Sequence, residues 1–233
     1  MESGKLNRRE RIRIETFAEI QTTALRLMAF GGANAISLRA IAREMGMTAN
    51  AIYGYFSTRD ELVTSLINNV YTTLADALEA AGEGAGGAAP TEALSAWANA
   101  FRNWALSNPQ GFRLIYGDLV PGYQPPQGGP APDATRRICI GLVAAASALW
   151  PAEKQHPEKQ TSFEWDDFDL GLVEKVRPAF PDLPPDAIAF ALRLWGRLHG
   201  FVSLEVYGQT RMLMDKPEKL FLSEVAQLVS SLA

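Results

Sequence analysis

The chain has 233 residues, of which 47% are hydrophobic and 21% are charged, and its formal net charge is −4. This composition is typical of one or two globular domains and excludes a fibrous or wholly disordered protein. The single cysteine, Cys139, excludes an intramolecular disulfide and a thiolate metal site, and we interpret it as a small buried hydrophobic residue. Residues 1–59 hold nine basic and five acidic side chains, so the rest of the chain carries an excess of eight negative charges. The N-terminal part is therefore suited to a negatively charged partner.

The first fourteen residues are rich in arginine. They predict either a basic arm, disordered until it lies along phosphates, or the solvated start of a helix. A charged start of this kind is not typical of a signal peptide, and no stretch of about 20 uncharged apolar residues follows it. We therefore expect a cytoplasmic protein with no membrane partner.

Residues 37–56 have the spacing of two short helices joined by a tight turn. The first helix has one apolar stripe, made of Leu38, Ile41, Ala42 and Met45. Gly46 is suited to the left-handed cap that ends a helix, and Thr48 is suited to the N-cap of the next helix. In the second helix Ile52 and Phe56 face the core. The side chains that project away from this core are Asn50, Tyr53 and Tyr55.

Two interpretations of this helix pair are open. One is an ordinary corner between two helices, and the other is a helix-turn-helix, which places its second helix in the major groove of DNA. A capping box at Thr58 and Glu61 starts a third helix directly after the pair, so the unit is braced at both ends. The local excess of basic side chains also favours the helix-turn-helix.

The first 65 residues resemble the DNA-binding domain of the TetR family of bacterial transcriptional regulators. The matching segments, in order, are an apolar helix with Phe17, Ile20, Ala24, Leu27 and Met28, the Gly31-Gly32 break, residues 36–42, residues 45–47, residues 52–56 and residues 59–62. The resemblance implies that Ser37, Thr48 and Tyr53 contact phosphates, that Arg39, Ala49 and Asn50 lie nearest the bases, and that Arg59 lies at the DNA backbone. Tyr55 completes the candidate DNA-binding set. Gly54 departs from the family pattern, since many members carry a larger residue there.

The predicted fold is all-α, with an N-terminal three-helix helix-turn-helix domain and a larger helical domain. We expect the DNA-binding domain at 1–60, a connecting helix at 61–81 that stops at Gly82, and a C-terminal effector-binding and dimerisation domain at 82–233. The loop 82–90 is rich in glycine and alanine and is the natural boundary between the connecting helix and the helices of the C-terminal domain. By the resemblance, the connecting helix transmits movement from the effector to the DNA-binding domain.

Three helices and two loops are predicted between the loop 82–90 and residue 168. An aromatic-rich helix at 91–107 ends at Asn108-Pro109, a short helix begins around Phe112, and an apolar helix spans 135–150. Residues 123–132 read as a surface loop, and residues 151–168 as a polar, mobile segment. At and just after the end of that segment Glu164, Asp166, Asp167 and Asp169 allow a hard-cation site, although a solvated acidic loop is the simpler interpretation.

The last two predicted helices, at 186–209 and from Pro217 onward, suit either a dimeric four-helix bundle or closure of the monomer core. The dimer is favoured because a helix-turn-helix protein reads two DNA half-sites with one recognition helix from each copy. The candidate interface residues are Phe190, Gly196, Gly200, Val202, Leu220, Val225 and Leu228. Residues 194–205 also resemble a C-terminal domain type named for its Trp-His-Gly pattern, which implies effector binding and dimerisation.

A small-molecule effector site is expected within the C-terminal helices, because ligand sites are mostly apolar with a few polar groups. Its candidate residues are Phe101, Trp104, Phe112, Tyr116, Leu142, Trp195 and His199. Each of the apolar candidates also fits a plain core position. His199 fits either an effector hydrogen bond or a structural one.

Three classes of function are compatible with a DNA-binding domain joined to a second helical domain. No catalytic set, metal-ligand cluster or cofactor motif is recognised, so an enzyme with a DNA-binding head is disfavoured and no catalytic residue, metal or cofactor is expected. A second class is a constitutive DNA-binding or protein-recruiting factor whose C-terminal domain only dimerises, and a closed apolar core without a cavity would favour it. The preferred hypothesis is a homodimeric repressor that binds double-stranded operator DNA and is released by a small, mostly apolar effector.

Overall fold

The computed structural model describes residues 7–117, 120–150 and 162–230, and every regular element in these ranges is a helix. The all-α prediction is confirmed. Residues 1–6 of the predicted arm, residues 151–161 of the predicted mobile segment and the last three residues lie outside the described residues. The chain divides into two compact units, residues 1–70 with 110–131, and residues 71–109 with 132–233.

In the first unit the basic N-terminal segment is helical. Helix α1 (Arg8–Gly31) begins with a capping box in which the Asn7 side chain accepts from the Glu10 amide and the Glu10 carboxylate accepts from the Asn7 amide, both at 2.9 Å. Of the two interpretations, the solvated helix start therefore applies from Arg8 onward. Four exposed arginines occupy its first two turns, at positions 8, 9, 11 and 13.

The helix pair is built as its spacing predicts. Helix α2 (Leu38–Glu44) is followed by Gly46 at φ +65°, in the left-handed region that favours glycine. Helix α3 (Ala49–Tyr53) is capped by the Thr48 hydroxyl, which accepts from the Ala51 amide at 3.2 Å. The core is closed by large apolar side chains that are almost fully buried: Ile20, Ile36, Ile41, Ile52, Phe56, Leu62 and Leu66.

Helix α4 (Arg59–Gly84) contributes residues to both units. Thr58 caps it by accepting from the Glu61 amide at 3.1 Å. The Glu61 carboxylate accepts from the Ser57 amide at 2.7 Å and not from the Thr58 amide, so the reciprocal bond of the predicted capping box is displaced by one residue. The helix continues to Gly84, two residues beyond the predicted stop. A single glycine inside a helix costs only about 1 kcal/mol, so Gly82 alone does not end it.

The first unit also holds helix α6 (Pro109–Tyr116) from Gln110 onward and the loop to Ala131. The loop is fastened by three hydrogen bonds to α4: the hydroxyls of Tyr123 and Thr64 lie 2.8 Å apart, the Gln124 amide donates to Asp60 at 3.2 Å, and Arg59 donates to the carbonyl of Pro121 at 3.0 Å. Sequence reasoning placed residues 110–131 with the C-terminal helices. The functional domain boundaries stay a prediction.

The described residues of the second unit form six α-helical segments that pack around one core. They are the C-terminal part of α4, α5 (Pro90–Ser107), α7 (Pro132–Ser147), α8 (Leu170–Val176), α9 (Pro185–Val206) and α10 (Pro217–Ser230). Helix α7 begins three residues before the predicted start, because proline is tolerated in the first turn of a helix. Leu94, Leu198, Val202 and Phe221 lie in the core. None of the described helices is long and apolar enough to cross a membrane.

Candidate functional site

Four of the eight candidate DNA-binding residues line one surface hollow in the first unit. Ser37 and Arg39 from the start of α2, Tyr53 from the end of α3, and Arg59 surround a space of about 280 Å³, together with Leu38, Ser57 and Thr58. Hydroxyl and guanidinium groups of this kind are the usual donors to phosphate oxygens. Ser57 was not singled out from the sequence, although its position just before the capping Thr58 places it at the same corner.

The remaining candidates lie along α3 and its ends. Thr48, Ala49 and Asn50 are exposed, as is Tyr53 with 45% of its surface accessible. Tyr55 is half-buried beneath Arg13, whose guanidinium carbon lies 5.2 Å from the ring centroid. Arg13 also donates to the Gly54 carbonyl at 3.3 Å, so an arginine of α1 lies directly beside the helix pair.

Arg59 differs from the other basic candidates because its guanidinium is engaged by the backbone. Its Nε donates to the carbonyl of Ile36 at 2.9 Å, and its Nη atoms donate to Pro121 at 3.0 Å and to Ala33 at 3.4 Å. One side chain thus joins the segment before α2 to the loop after α6. By contrast, Arg39 is exposed.

The second unit contains a cavity of about 420 Å³, within the range of about 300–1,000 Å³ that is usual for small-molecule sites. Its walls come from α4, α5 and α7. The lining residues are Ala75, Leu78, Glu79, Gly82, Glu83, Pro90, Ala93, Trp97, Arg137, Ile138, Gly141, Ala144, Ala145 and Ala148. The lining is mainly apolar, with its charged groups confined to Glu79, Glu83 and Arg137.

None of the seven candidate ligand-binding residues lines this cavity. Phe101, Trp195 and His199 come together in one aromatic cluster, with ring centroids 4.9 Å apart for Phe101 and Trp195 and 5.0 Å apart for Trp195 and His199. The Nδ1 atom of His199 lies 3.3 Å from the Ser203 hydroxyl, and burial lowers the pKa of the imidazole.

The other candidate ligand residues are spread over both units. Trp104 donates its indole proton to Thr73 at 3.2 Å, and Leu142 is a buried side chain of α7. Phe112 and Tyr116 contact each other in the first unit, with centroids 5.1 Å apart. The set stays a prediction, and the structure does not bring all seven residues into one site.

The aromatic residue of the cavity lining that was not a sequence candidate is Trp97. It belongs to the aromatic-rich helix predicted at 91–107, but helical spacing cannot tell which aromatic residue borders a void. A signal was present along α7 and just after its end, where Gly141, Ala144, Ala145 and Ala148 recur at i, i+3, i+4 and i+7. Such a stripe of small residues leaves space beside a helix or lets another helix approach closely, and only the packing decides which.

The candidate interface residues fall into two groups. Phe190, Val202, Val225 and Leu228 are buried within their own chain, whereas Gly196, Gly200 and Leu220 are exposed. Exposed apolar surface is added by Leu192 and Leu204 of α9, by Tyr207 directly after α9, and by Leu222 of α10.

The acidic segment around residue 166 uses its carboxylates on the backbone. Asp167 accepts from the Glu164 amide at 2.8 Å, and Asp169 accepts from the Gly171 amide at 2.9 Å. Cys139 is half-buried, and burial raises the pKa of its thiol.

Two family models match the chain. One, described as bacterial regulatory proteins of the tetR family, matches residues 20–66, and the other, described as the tetracyclin repressor-like C-terminal domain, matches residues 94–228. Among curated proteins, the HTH-type transcriptional regulators Rv1816 of Mycobacterium tuberculosis and Mb1846 of Mycobacterium bovis are each 34% identical to this chain, over 98% of its length and 97% of theirs.

Solved structures share the fold of this chain. The crystal structure of the protein SCO4313 is similar with a TM-score of 0.72 and 35% identity, covering 95% of this chain and 98% of that one. A Rhodococcus protein of unknown function shares the fold, with a TM-score of 0.60 and 22% identity over 93% of this chain and 92% of that one. With a helix-turn-helix in its first unit and full-length relatives that are transcriptional regulators, the chain belongs to the TetR family of DNA-binding transcriptional regulators.

Proposed function

We propose that the protein is a repressor that binds operator DNA as a homodimer and is released when a small, mostly apolar molecule binds its second unit. The observation that carries the operator part is the hollow lined by Ser37, Arg39, Tyr53 and Ser57. It gathers several phosphate donors beside the exposed residues of α3. Phosphate contacts set the register of a protein on DNA, and neighbouring side chains then read the bases.

The effector part is supported by the 420 Å³ cavity in the second unit. A constitutive factor whose C-terminal helices only dimerise has no need of such a space, and close packing normally removes it. Helix α4 supplies Arg59 to the hollow and Leu78 and Glu79 to the cavity wall. An effector that favours one position of this helix thereby changes the affinity for DNA, and such couplings are typically about 1–3 kcal/mol.

The dimer part is supported by the outer surfaces of α9 and α10. Gly196 and Gly200 are exposed there, and an added Cβ at either position meets no atom within 4 Å. They are flanked by exposed leucines at 192 and 204 on α9 and at 220 and 222 on α10. A surface of small and apolar residues allows a second copy to approach closely, and two copies read half-sites about 34–36 Å apart.

The experiment that tests this function is selection of binding sites from a random DNA library by the intact protein, followed by measurement of the mass of the complex. A homodimeric operator-binding protein selects an inverted repeat and binds it with two copies per site, or a multiple of two. Failure to enrich any sequence, or enrichment of a single half-site by one copy, would overturn the proposal.

A further inference from the structure

One residue that lines the cavity in the second unit carries a buried hydrogen-bond donor. Trp97 is 4% exposed, and its indole Nε1 is buried without a hydrogen-bond partner among the residues that the structure describes. By comparison, the indole of Trp104 donates to Thr73. Buried polar groups are normally paired, because an unsatisfied donor loses its hydrogen bonds to water without replacement.

The neighbour of this donor on α7 is also a lining residue of the cavity. Trp97 and Gly141 both line the cavity, and a Cβ placed on Gly141 would lie 3.7 Å from the Trp97 Nε1, at ordinary van der Waals distance. The glycine at position 141 therefore leaves the methyl-sized position beside the indole nitrogen unfilled. Alanines on α5 and α7 keep the adjoining walls short and apolar.

The charged groups of the lining disfavour the binding of an anion. The guanidinium of Arg137 is occupied by two carboxylates: its Nε donates to Glu79 at 2.8 Å and its Nη2 donates to Asp76 at 2.6 Å, with a further contact between Nη2 and Glu79. These hydrogen bonds lower the pKa of Glu79, which is therefore ionised at neutral pH. Arg137 with Glu79 and Glu83 leaves the lining with a net negative charge.

From this arrangement we infer that the effector of the proposed repressor is a mainly apolar molecule without net negative charge, whose hydrogen-bond acceptor takes the indole proton of Trp97. The role of this ligand as an effector rests on the proposed function, but its binding to the cavity does not depend on that function. A neutral carbonyl or ether oxygen satisfies the donor without bringing an anion beside Glu79 and Glu83. A carboxylate also accepts the proton, but it adds negative charge to a lining whose net charge is already negative.

The test uses three naphthalene probes of similar size: 2-acetylnaphthalene, which carries a neutral acceptor, 2-ethylnaphthalene, which carries none, and 2-naphthoate, which carries a charged one. Their dissociation constants are measured by equilibrium dialysis against the wild-type chain and the Trp97→Phe variant. A hydrogen bond contributes about a fivefold change in affinity, so Trp97→Phe should weaken the ketone by about that factor and leave the hydrocarbon unchanged. Naphthoate should bind the wild type more weakly than the ketone.

Two further variants keep the test decisive. Trp165→Phe is the matched control, because Trp165 lies under the guanidinium of Arg177 and away from the cavity lining, and it should leave every affinity unchanged. Ala145→Leu extends a side chain into the cavity and should weaken all the probes that bind. Far-ultraviolet circular dichroism verifies that each variant is folded.

Three results would overturn the inference: equal losses for ketone and hydrocarbon in Trp97→Phe, tighter binding of naphthoate than of the ketone, or no binding of any probe up to its solubility limit. Site selection on random DNA with the same preparation separates this failure from failure of the proposed function. A protein that selects an inverted repeat but meets any of these three conditions remains an operator-binding regulator and loses the ligand chemistry assigned here.

Discussion

Arg102 and Glu205 form a buried, two-pronged ion pair between α5 and α9, with Nε and Nη2 of the arginine 2.8 Å and 2.6 Å from the two carboxylate oxygens. Both side chains are only about a tenth exposed. The guanidinium carbon also lies 5.6 Å from the ring centroid of Phe221 on α10. The pair therefore joins three helices of the second unit.

Removal of one partner leaves the other charge buried without compensation. We expect Arg102→Met to lower the free energy of unfolding by about 3–5 kcal/mol, whereas the double variant Arg102→Met with Glu205→Leu should lose much less. Urea denaturation of the two variants measures this. The exposed pair of Arg26 and Glu44 is the control, since Arg26→Met should cost about 1 kcal/mol or less. Equal losses for Arg102→Met and Arg26→Met would contradict the burial argument.

Arg59 is expected to act on the stability of the first unit. Its three carbonyl acceptors, on Ala33, Ile36 and Pro121, cannot all be reached by a lysine ammonium. Arg59→Lys should therefore lower the free energy of unfolding by about 1–3 kcal/mol while the charge is kept. Urea denaturation tests this. If Arg59→Lys unfolds at the wild-type urea concentration and only its DNA affinity falls, the residue serves the phosphate backbone instead.

Arg39 and Tyr53 are expected to act on DNA affinity alone, because both are exposed and line the hollow. Arg39→Ala should weaken binding to a selected site about tenfold, a change of about 1.4 kcal/mol, and Tyr53→Ala should weaken it as well. The free energy of unfolding should change by no more than about 0.5 kcal/mol in either variant. Mobility shift measures the affinities. Arg211→Ala removes the same charge from an exposed turn of the second unit and should bind as the wild type.

His199 is expected to make the stability of the chain fall on mild acidification. Burial lowers the pKa of its imidazole below the usual value of 6.5, so below that pH the unfolded chain takes up the proton more readily than the folded one. The free energy of unfolding should fall as the pH drops below 6.5 and level off below the folded-state pKa. Comparison of the wild type with His199→Gln by urea denaturation at several pH values isolates the contribution of His199 to the pH dependence of the free energy of unfolding. An identical pH dependence in both proteins would exclude such a contribution.

Gly200 tests the proposed dimer. In the middle of an exposed helical face, Gly200→Ala should be neutral or stabilise the chain by up to about 1 kcal/mol, because glycine is a poor helix former. Gly200→Arg should instead give a folded monomer if a second copy packs against this face. Light scattering coupled to gel filtration distinguishes the two states. A dimer that persists in Gly200→Arg places the interface elsewhere.

The helix pair could be predicted from the sequence because its structure is set by local interactions. The apolar spacing of Ile41, Ile52 and Phe56, the left-handed turn at Gly46 and the cap at Thr48 each depend on residues only a few positions apart. The cap of α4 and the length of that helix were predicted to within a residue or two for the same reason.

The cavity and the loop contacts could not be predicted in this way because they depend on distant parts of the chain. The void next to Trp97 exists only where α4, α5 and α7 meet, and each helix alone reads as an ordinary core element. The hydroxyl contact of Thr64 with Tyr123 spans 59 positions, and no periodicity in the loop indicates it. The candidate ligand residues were drawn from aromatic content, which locates the core and not its empty spaces.

Sequence-specific binding of operator DNA by a homodimer can be measured by a mobility shift of the purified protein on the DNA upstream of its own gene, across a series of salt concentrations and with unrelated DNA as competitor. A homodimeric regulator should retain that DNA at dimer stoichiometry. Its affinity should fall steeply as salt rises and should exceed the affinity for the competitor at each concentration. Equal affinity for the upstream and unrelated DNA, together with no site enriched from a random library, would contradict such binding.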